Sequence, residues 1–293
     1  MQEGLLRHKS LIFSRKVDLD LTNLRIHRLR SGVANSPKVI ILAGGLGTRI
    51  SEETSDKPKP MVLIDDRPIL WHLMNTFADQ GYENFVLALG YRSDVIKRWL
   101  LDLNELNGDI TIETGSRNIS RQNQAPQNNW IVSALETGLY TQTGGRVKQA
   151  MQKNPGERVI ATYGDGLANI NINSLLKFHI SHGKLATVTA VRPPARFGYL
   201  EIDGDAVTHF GEKKQTDVGW INGGFFVLEP EVVSYIKNND EPFETGALPR
   251  LAENNQLMAF QHPGFWQPMD TLREKHELQK LAEELKPIWL RRD

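Results

Sequence analysis

The sequence predicts an α/β fold, a mainly parallel mixed sheet flanked by helices with a small antiparallel insert. Three observations predict it. The apolar runs at 39–42, 85–89 and 159–161 are unbroken rather than alternating, the pattern of strands buried on both faces of a parallel sheet. Segments of helical periodicity alternate with these runs, which argues for βαβ units. After Arg192 the texture changes to short alternating strands at 198–202 and 206–210, separated by the hairpin signal Asp203-Gly204-Asp205.

Taken in order, the first strand is the Val-Ile-Ile-Leu run at 39–42. Pro68 suits the first turn of a helix, and Ile69, Leu70, Leu73, Met74 and Phe77 recur on one face of it until Gly81. Residues 84–89 form the next strand, closed by Gly90, and Ser93 is expected to cap a helix running through Leu100. Residues 158–162 and 185–191 are a third and a fourth buried strand. The antiparallel insert is expected to wall one side of a substrate cleft. Glu229-Pro230 opens a helix, 257–260 is a short strand, and 271–285 is a C-terminal helix. With no internal repeat and no low-complexity linker, residues 37–293 read as one catalytic domain, preceded by an arm over residues 1–36.

Composition bounds the function. The 293 residues suffice for a full core. Thirty-five basic residues balance 35 acidic ones, so no net field draws the chain to nucleic acid or anionic membranes. Cysteine is absent, which removes disulfides, thiolate metal sites and a cysteine nucleophile. No apolar run approaches the ~20 residues a membrane helix needs. A soluble, cytoplasmic protein is expected. The arm carries seven Lys/Arg against three Asp/Glu, and its apolar patch Leu11-Ile12-Phe13 is too short for a signal peptide.

The most informative segment begins where the first strand ends. Ala43-Gly44-Gly45-Leu46-Gly47 lets the backbone turn sharply and bring bare N–H groups to a ligand. Arg49, and Lys57 and Lys59 within Lys57-Pro58-Lys59-Pro60-Met61, place positive charge just beyond it. Strand, glycine loop and cations together describe a nucleoside triphosphate site. The P-loop spacing is absent, and so is the dinucleotide fingerprint, since Gly45-Leu46-Gly47 runs on into Thr48-Arg49-Ile50. Tyr163-Gly164-Asp165-Gly166 sets Asp165 at a strand's carboxyl end, where open α/β sheets bind ligands, and Asp270 stands just before the C-terminal helix. Taken alone, Asp165 reads equally as a turn residue and Asp270 as a helix cap. Beside a phosphate loop they suit Mg²⁺, which is held at triphosphates by one or two carboxylates and phosphate oxygens. His179 and His182 lack a third ligand and read as packing histidines. There is no Gly-x-Ser-x-Gly elbow.

The glycine loop and the Lys-Pro-Lys-Pro-Met segment resemble the signature of the sugar-phosphate nucleotidyltransferases. Further segments sharpen the resemblance to the glucose-1-phosphate cytidylyltransferases: Pro68-Ile69-Leu70-Trp71-His72, Tyr163-Gly164-Asp165-Gly166, Arg196-Phe197-Gly198, Ile221-Asn222-Gly223-Gly224-Phe225-Phe226, and Gly264-Phe265-Trp266-Gln267-Pro268-Met269-Asp270-Thr271-Leu272. The resemblance runs from about Lys38 to the C-terminus. It implies a Rossmann-like nucleotidyltransferase domain that makes CDP-glucose, a precursor of dideoxysugars in surface polysaccharides, from CTP and glucose 1-phosphate with Mg²⁺. A homo-oligomer is expected. By the same resemblance Leu42, Ala43, Gly44, Gly45 and Leu46 face the nucleotide, and Gly47, Thr48 and Arg49 its phosphates. Lys59 sits on the reacting phosphates, with Lys59 and Arg49 as the catalytic pair. Thr141, Arg146 and Gly164 bind nucleotide, Glu212, Lys213, Asn222 and Gly223 the sugar phosphate, and Asp165 and Asp270 the metal. Asp65-Asp66-Arg67 departs from the family's usual Gly-Gly-Lys, and Tyr140 stands where a small residue is common.

The implied chemistry is in-line attack of a sugar-phosphate oxygen on the α-phosphorus, with pyrophosphate leaving. Two alternatives stay open at this point. UTP, dTTP or another hexose 1-phosphate would keep the enzyme class, since motifs do not fix base choice. A catalytically silent nucleotide-binding subunit would be expected to lose the lysine or a carboxylate, and Lys59, Asp165 and Asp270 are all present.

Overall fold

The computed structural model describes residues 36–105, 108–113, 118–123, 128–193, 198–203, 205–212, 219–284 and 286–291. Apart from Ser36, the expected arm lies outside the described residues.

Seven strands form the main sheet: β1 (Lys38–Ala43), β2 (Asn84–Leu89), β3 (Ile131–Glu136), β4 (Val159–Tyr163), β5 (Ala186–Val191), β6 (Ile221–Leu228) and β7 (Leu257–His262). Their spatial order is β7-β5-β6-β4-β1-β2-β3. β1 pairs in parallel with β2 and β4, β2 with β3, and β5 with β7, whereas β6 runs antiparallel to both its neighbours. The expected mixed, mainly parallel sheet is what forms.

The unbroken apolar runs follow from cover on both faces. Val39, Ile41, Phe85, Leu87 and Ile160 point into one core cluster with α1 (Ile69–Ala78), α4 (Ile172–His182) and α6 (Leu272–Ala282). Ile40, Val86, Val159 and Ala161 point into the other with α3 (Thr143–Gln152) and α5 (Ala247–Glu253). Burying each Val, Ile, Leu or Phe among these contributes about 1.5–3 kcal/mol, so both layers are needed to hold β1 at the centre. α1 starts directly after Pro68, whose missing N–H costs nothing at a helix start, and its five predicted face residues are all fully buried.

Some elements differ from expectation. α2 (Ser93–Glu105) is longer than predicted and begins at Ser93 itself, whose hydroxyl donates to Glu136 Oε1 at 2.7 Å instead of capping. Pro230–Tyr235 is a 3₁₀ segment rather than an α-helix; the β-branched pair Val232-Val233 weakens helix propensity, and Ile236 turns extended. α6 stops at Ala282. The hairpin Gly198–Asp203 with Ala206–Glu212 pairs antiparallel as predicted. The Asp65-Asp66 departure is a two-residue turn joining Leu63–Ile64 to Arg67–Pro68, with both aspartates at positive φ (48° and 58°). This turn favours Gly, and Asp tolerates it better than most residues.

The histidines of α4 are structural. Lys184 N–H donates to His182 Nδ1 (2.9 Å), so His182 Nε2 donates to Thr187 Oγ1 (2.7 Å). The Thr187 hydroxyl then donates to His179 Nδ1 (2.8 Å), and His179 Nε2 donates to Glu229 Oε1 (3.1 Å). Every proton in this chain has one place, with both rings neutral. Burial holds both pKa values below the ordinary 6.5. Stability is therefore expected to be level above about pH 6.5 and to fall below it, because the unfolded chain takes up protons that the folded chain refuses. Melting temperatures measured from about pH 7.5 down to about 5.5 check this. His179→Gln should flatten the slope, and a melting temperature that rises on acidification would contradict the assignment.

Chain order fixes where a ligand goes. From β1 the chain moves outward to β2 and β3, then returns to place β4 on the other side of β1. The carboxyl ends of β1 and β4 thus flank a topological switch point, the crevice where open α/β sheets bind ligands. Among the described residues no helix is long and apolar enough to cross a membrane.

Candidate active site

A cleft of about 960 Å³ opens at that switch point. β1 delivers Leu42 and the loop through Arg49 to one wall, and β4 delivers Tyr163 and Asp165 to the next. The Gly164 N–H donates to Leu42 O (3.0 Å), which extends the β1–β4 pairing into the loops. A two-stranded ribbon then joins distant parts of the chain. Gly166–Ala168 pairs antiparallel with Trp266–Pro268, with Gly166 opposite Pro268, and Met269 N–H donates to Asp165 O (2.8 Å). This register brings Asp165 and Asp270 together.

Between them stands Lys59, on the 3₁₀ turn Lys59–Met61 and only 6% exposed. Its ammonium donates to Asp165 Oδ2 (2.7 Å) and to Asp270 Oδ1 (2.5 Å). Arg49, largely exposed, donates to Asp270 Oδ2 (2.6 Å). Two carboxylates and two cations thus balance in formal charge at the mouth of the glycine loop. Asp270 does not cap α6. Thr271 does, in a capping box with Glu274, whose Oε2 accepts from the N–H groups of Asp270 (2.7 Å) and Thr271 (2.9 Å). The Asp270 side chain is left to the cleft.

Arg146 lies on α3 and is 3% exposed. One terminal nitrogen donates to Leu89 O (2.9 Å) and Thr137 Oγ1 (2.5 Å), the other to Gly44 O (2.9 Å) and Leu139 O (3.3 Å). Burial lowers its pKa from the usual arginine value. The guanidinium occupies the space a side chain at position 44 would need, since a Cβ on Gly44 would lie 2.2 Å from it. Both terminal nitrogens are spent on the end of β2 and the loops after β1 and β3, so the geometry makes Arg146 a clamp on the glycine loop. Arg146→Ala would remove these charge-assisted hydrogen bonds, typically worth roughly 1.5–3 kcal/mol each, although Gly44 O and Leu89 O keep the N–H groups of Tyr91 and Thr137. A fall of several degrees in melting temperature, with nucleotide KM raised more than kcat is lowered, is the expected result. An unchanged melting temperature would refute the clamp.

The third wall is a hydrogen-bonded chain. Thr143 Oγ1 donates to Glu244 Oε2 (2.6 Å), and the Tyr163 hydroxyl donates to Glu244 Oε1. Asn222 Nδ2 donates to the Tyr163 oxygen (3.2 Å), while Asn222 Oδ1 accepts from Gly224 N–H (2.8 Å). Gly224 has φ +82°, and a Cβ there would lie 2.3 Å from the Tyr163 ring. Burial, aided by Glu244, pushes the Tyr163 phenol far above its ordinary range, so it stays protonated.

Of the residues singled out from sequence, Leu42, Ala43, Gly44, Gly45, Leu46, Gly47, Thr48, Arg49, Lys59, Thr141, Arg146, Asp165, Asn222 and Asp270 line the cleft. Gly164 adjoins it through Leu42. Gly223 is buried, with its carbonyl accepting from Trp266 Nε1 (2.8 Å). Glu212 is described in its backbone alone, at the end of the hairpin, and Lys213 lies outside the described residues. Glu244, Thr143, Gln142 and Leu139 also line the cleft and carried no sequence signal.

A glycine loop, a buried lysine on two carboxylates and an exposed arginine, gathered at a switch point, define a site for anionic nucleotides. The chain belongs to the nucleotidyl transferase family, whose pattern it matches over residues 38–274. Among curated proteins it is 44% identical to a glucose-1-phosphate cytidylyltransferase of Salmonella typhimurium over 253 residues, 86% of this chain and 98% of that protein. It is 39% identical to a probable glucose-1-phosphate cytidylyltransferase of Bacillus subtilis, with the same coverage. In fold it is similar to the crystal structure of HddC from Yersinia pseudotuberculosis, with a TM-score of 0.62 at 24% identity, covering 85% of this chain and all of that one.

The donor set suits a hard divalent cation that arrives with phosphate oxygens. Asp165 and Asp270 each offer carboxylate oxygens within reach of one point, now held by the Lys59 ammonium. Oxygen donors in that number match Mg²⁺ at a triphosphate better than an all-protein metal cage.

Proposed function

We propose that this protein transfers a cytidylyl group from CTP to glucose 1-phosphate, giving CDP-glucose and pyrophosphate. The observation that carries this reading is Lys59, buried on Asp165 and Asp270 beside the glycine loop. The likeness to glucose-1-phosphate cytidylyltransferases over nearly their whole length supplies the substrates.

An oxygen of the sugar phosphate attacks the α-phosphorus of CTP in line, and the bond to the β-phosphate oxygen breaks. The nucleophile is ionised at neutral pH, so no general base is needed. Catalysis is positioning and charge stabilisation. Lys59 moves from its carboxylates to the α-phosphate and draws the two anionic reactants together. Exposed Arg49 and the N–H groups of the loop stabilise the pyrophosphate as it departs. Asp165 and Asp270 would hold Mg²⁺, which supplies charge neutralisation across the phosphates. Leu42, Ala43 and the glycines receive the nucleotide, Thr141 flanks it, and Arg146 keeps the loop in shape from behind. By the resemblance, the sugar phosphate is assigned to Asn222, Gly223, Glu212 and Lys213. A homo-oligomer in the cytoplasm is part of this reading, as is catalysis by residues 37–293 alone.

Pyrophosphate release with glucose 1-phosphate and each of the four NTPs tests it. CTP should be preferred over UTP, because the cytosine amino group and the uracil carbonyl make opposite demands on a closed pocket. Equal use of UTP would leave the reaction class and remove the base assignment.

A further inference from the structure

Glu244 has no part in the chemistry above, yet its half-buried carboxylate lies on the cleft wall. Among the described residues no lysine or arginine pairs with it. Its neighbour Glu241 differs, with Arg250 at 2.6 Å. An anion without a cation partner would repel phosphates, so this part of the wall suits a neutral, hydroxyl-bearing group. Both groups that touch it are neutral donors, Tyr163 and Thr143. They use about half of what a carboxylate accepts, since two oxygens offer about four lone-pair sites.

The direction of the chain is fixed. Gly224 N–H holds Asn222 Oδ1, so Asn222 presents its amide hydrogens to the Tyr163 oxygen. The phenol must then send its own proton to Glu244. Thr143 Oγ1 accepts from Phe243 N–H (2.9 Å) and so likewise donates to Glu244. Both neighbours therefore lock the carboxylate in place as an acceptor.

We propose that Glu244 is a specificity-determining residue that accepts hydrogen bonds from sugar hydroxyls of the bound substrates. The inference rests on the cytidylyl-transfer reading, in which both substrates carry such hydroxyls: the ribose of CTP and the hexose of glucose 1-phosphate. The chemistry is shared, because adjacent hydroxyls meet one carboxylate in the same way on either ring.

The test pairs Glu244→Gln with substrates that each lack one hydroxyl, namely 2′-deoxy-CTP and the 2-, 3-, 4- and 6-deoxy analogues of glucose 1-phosphate. Wild-type enzyme should lose roughly tenfold or more in kcat/KM on whichever analogue lacks the contacted hydroxyl, as expected for a hydrogen bond to a charged group. In Glu244→Gln that ratio should collapse towards one, while the ratios for the other analogues stay as they were. Collapse on the 2′-deoxy-CTP arm identifies the ribose, and collapse on a deoxyhexose arm identifies the hexose. Thr143→Val, which frees one side of the carboxylate, should weaken the same ratio and no other. If every ratio is unchanged in Glu244→Gln, whether or not its activity or melting temperature falls, the carboxylate only packs the wall and the inference is overturned. Wild-type enzyme that forms no CDP-glucose would instead overturn the cytidylyl-transfer reading.

Discussion

Lys59→Met is expected to lower kcat by roughly 10²–10³-fold, the usual loss when one preorganised charge at a reacting centre is removed. The lysine is nearly buried, so its charge acts in a site where water screens it little. That charge matters most as negative charge spreads over the α-phosphate and the leaving group, so KM for CTP should change much less than kcat. The substitution also leaves the Asp165 and Asp270 carboxylates facing one another without the ammonium that now joins them. Circular dichroism and a melting curve must therefore accompany the kinetics. A folded mutant within a few-fold of wild type would remove Lys59 from the mechanism.

The second large effect lies on the carboxylates. Asp270→Asn keeps the shape and loses the charge that holds both Lys59 and Arg49. Asp165→Asn loses the charge on the other side of Lys59. Each is expected to lower Mg²⁺-dependent turnover by roughly 10²-fold or more. The fold should survive both, because α6 is capped by Thr271 and Glu274 rather than by Asp270. Turnover measured against Mg²⁺ concentration distinguishes a ligand from a bystander. A ligand mutant should be slow throughout, or recover only at much higher Mg²⁺. Normal activity of either mutant at limiting Mg²⁺ would return that residue to a turn or spacer.

Much of this arrangement was legible because it is local. The run at 39–42, the glycine loop and the Lys-Pro-Lys-Pro-Met segment lie within some two dozen residues, and a strand buried on both faces needs an unbroken apolar run. β3 was not legible. It is an edge strand with Ile131 more than half exposed, so it lacks both the continuous and the alternating signal. The Lys59 contacts span 106 and 211 residues of sequence, and only the 166–168 ribbon against 266–268 makes them neighbours. Motifs pointed to each partner and could not give the distances. Arg146 was read through a resemblance as a nucleotide contact. Its direction is set by carbonyls at or just beyond the ends of three separate strands, and no spacing records that. Glu244 had no motif at all, since its meaning comes from Tyr163 and Thr143, each far from it in the chain.

The central claim is that a sugar-phosphate oxygen displaces pyrophosphate at the α-phosphorus of CTP on Lys59. It is tested most directly by turnover with glucose 1-phosphate labelled with ¹⁸O at its non-bridging phosphate oxygens, followed by mass spectrometry of both products. The account predicts CDP-glucose that carries the label, with one labelled oxygen bridging the two phosphorus atoms, and pyrophosphate that carries none. Label in the pyrophosphate, or pyrophosphate released without labelled CDP-glucose, would contradict it.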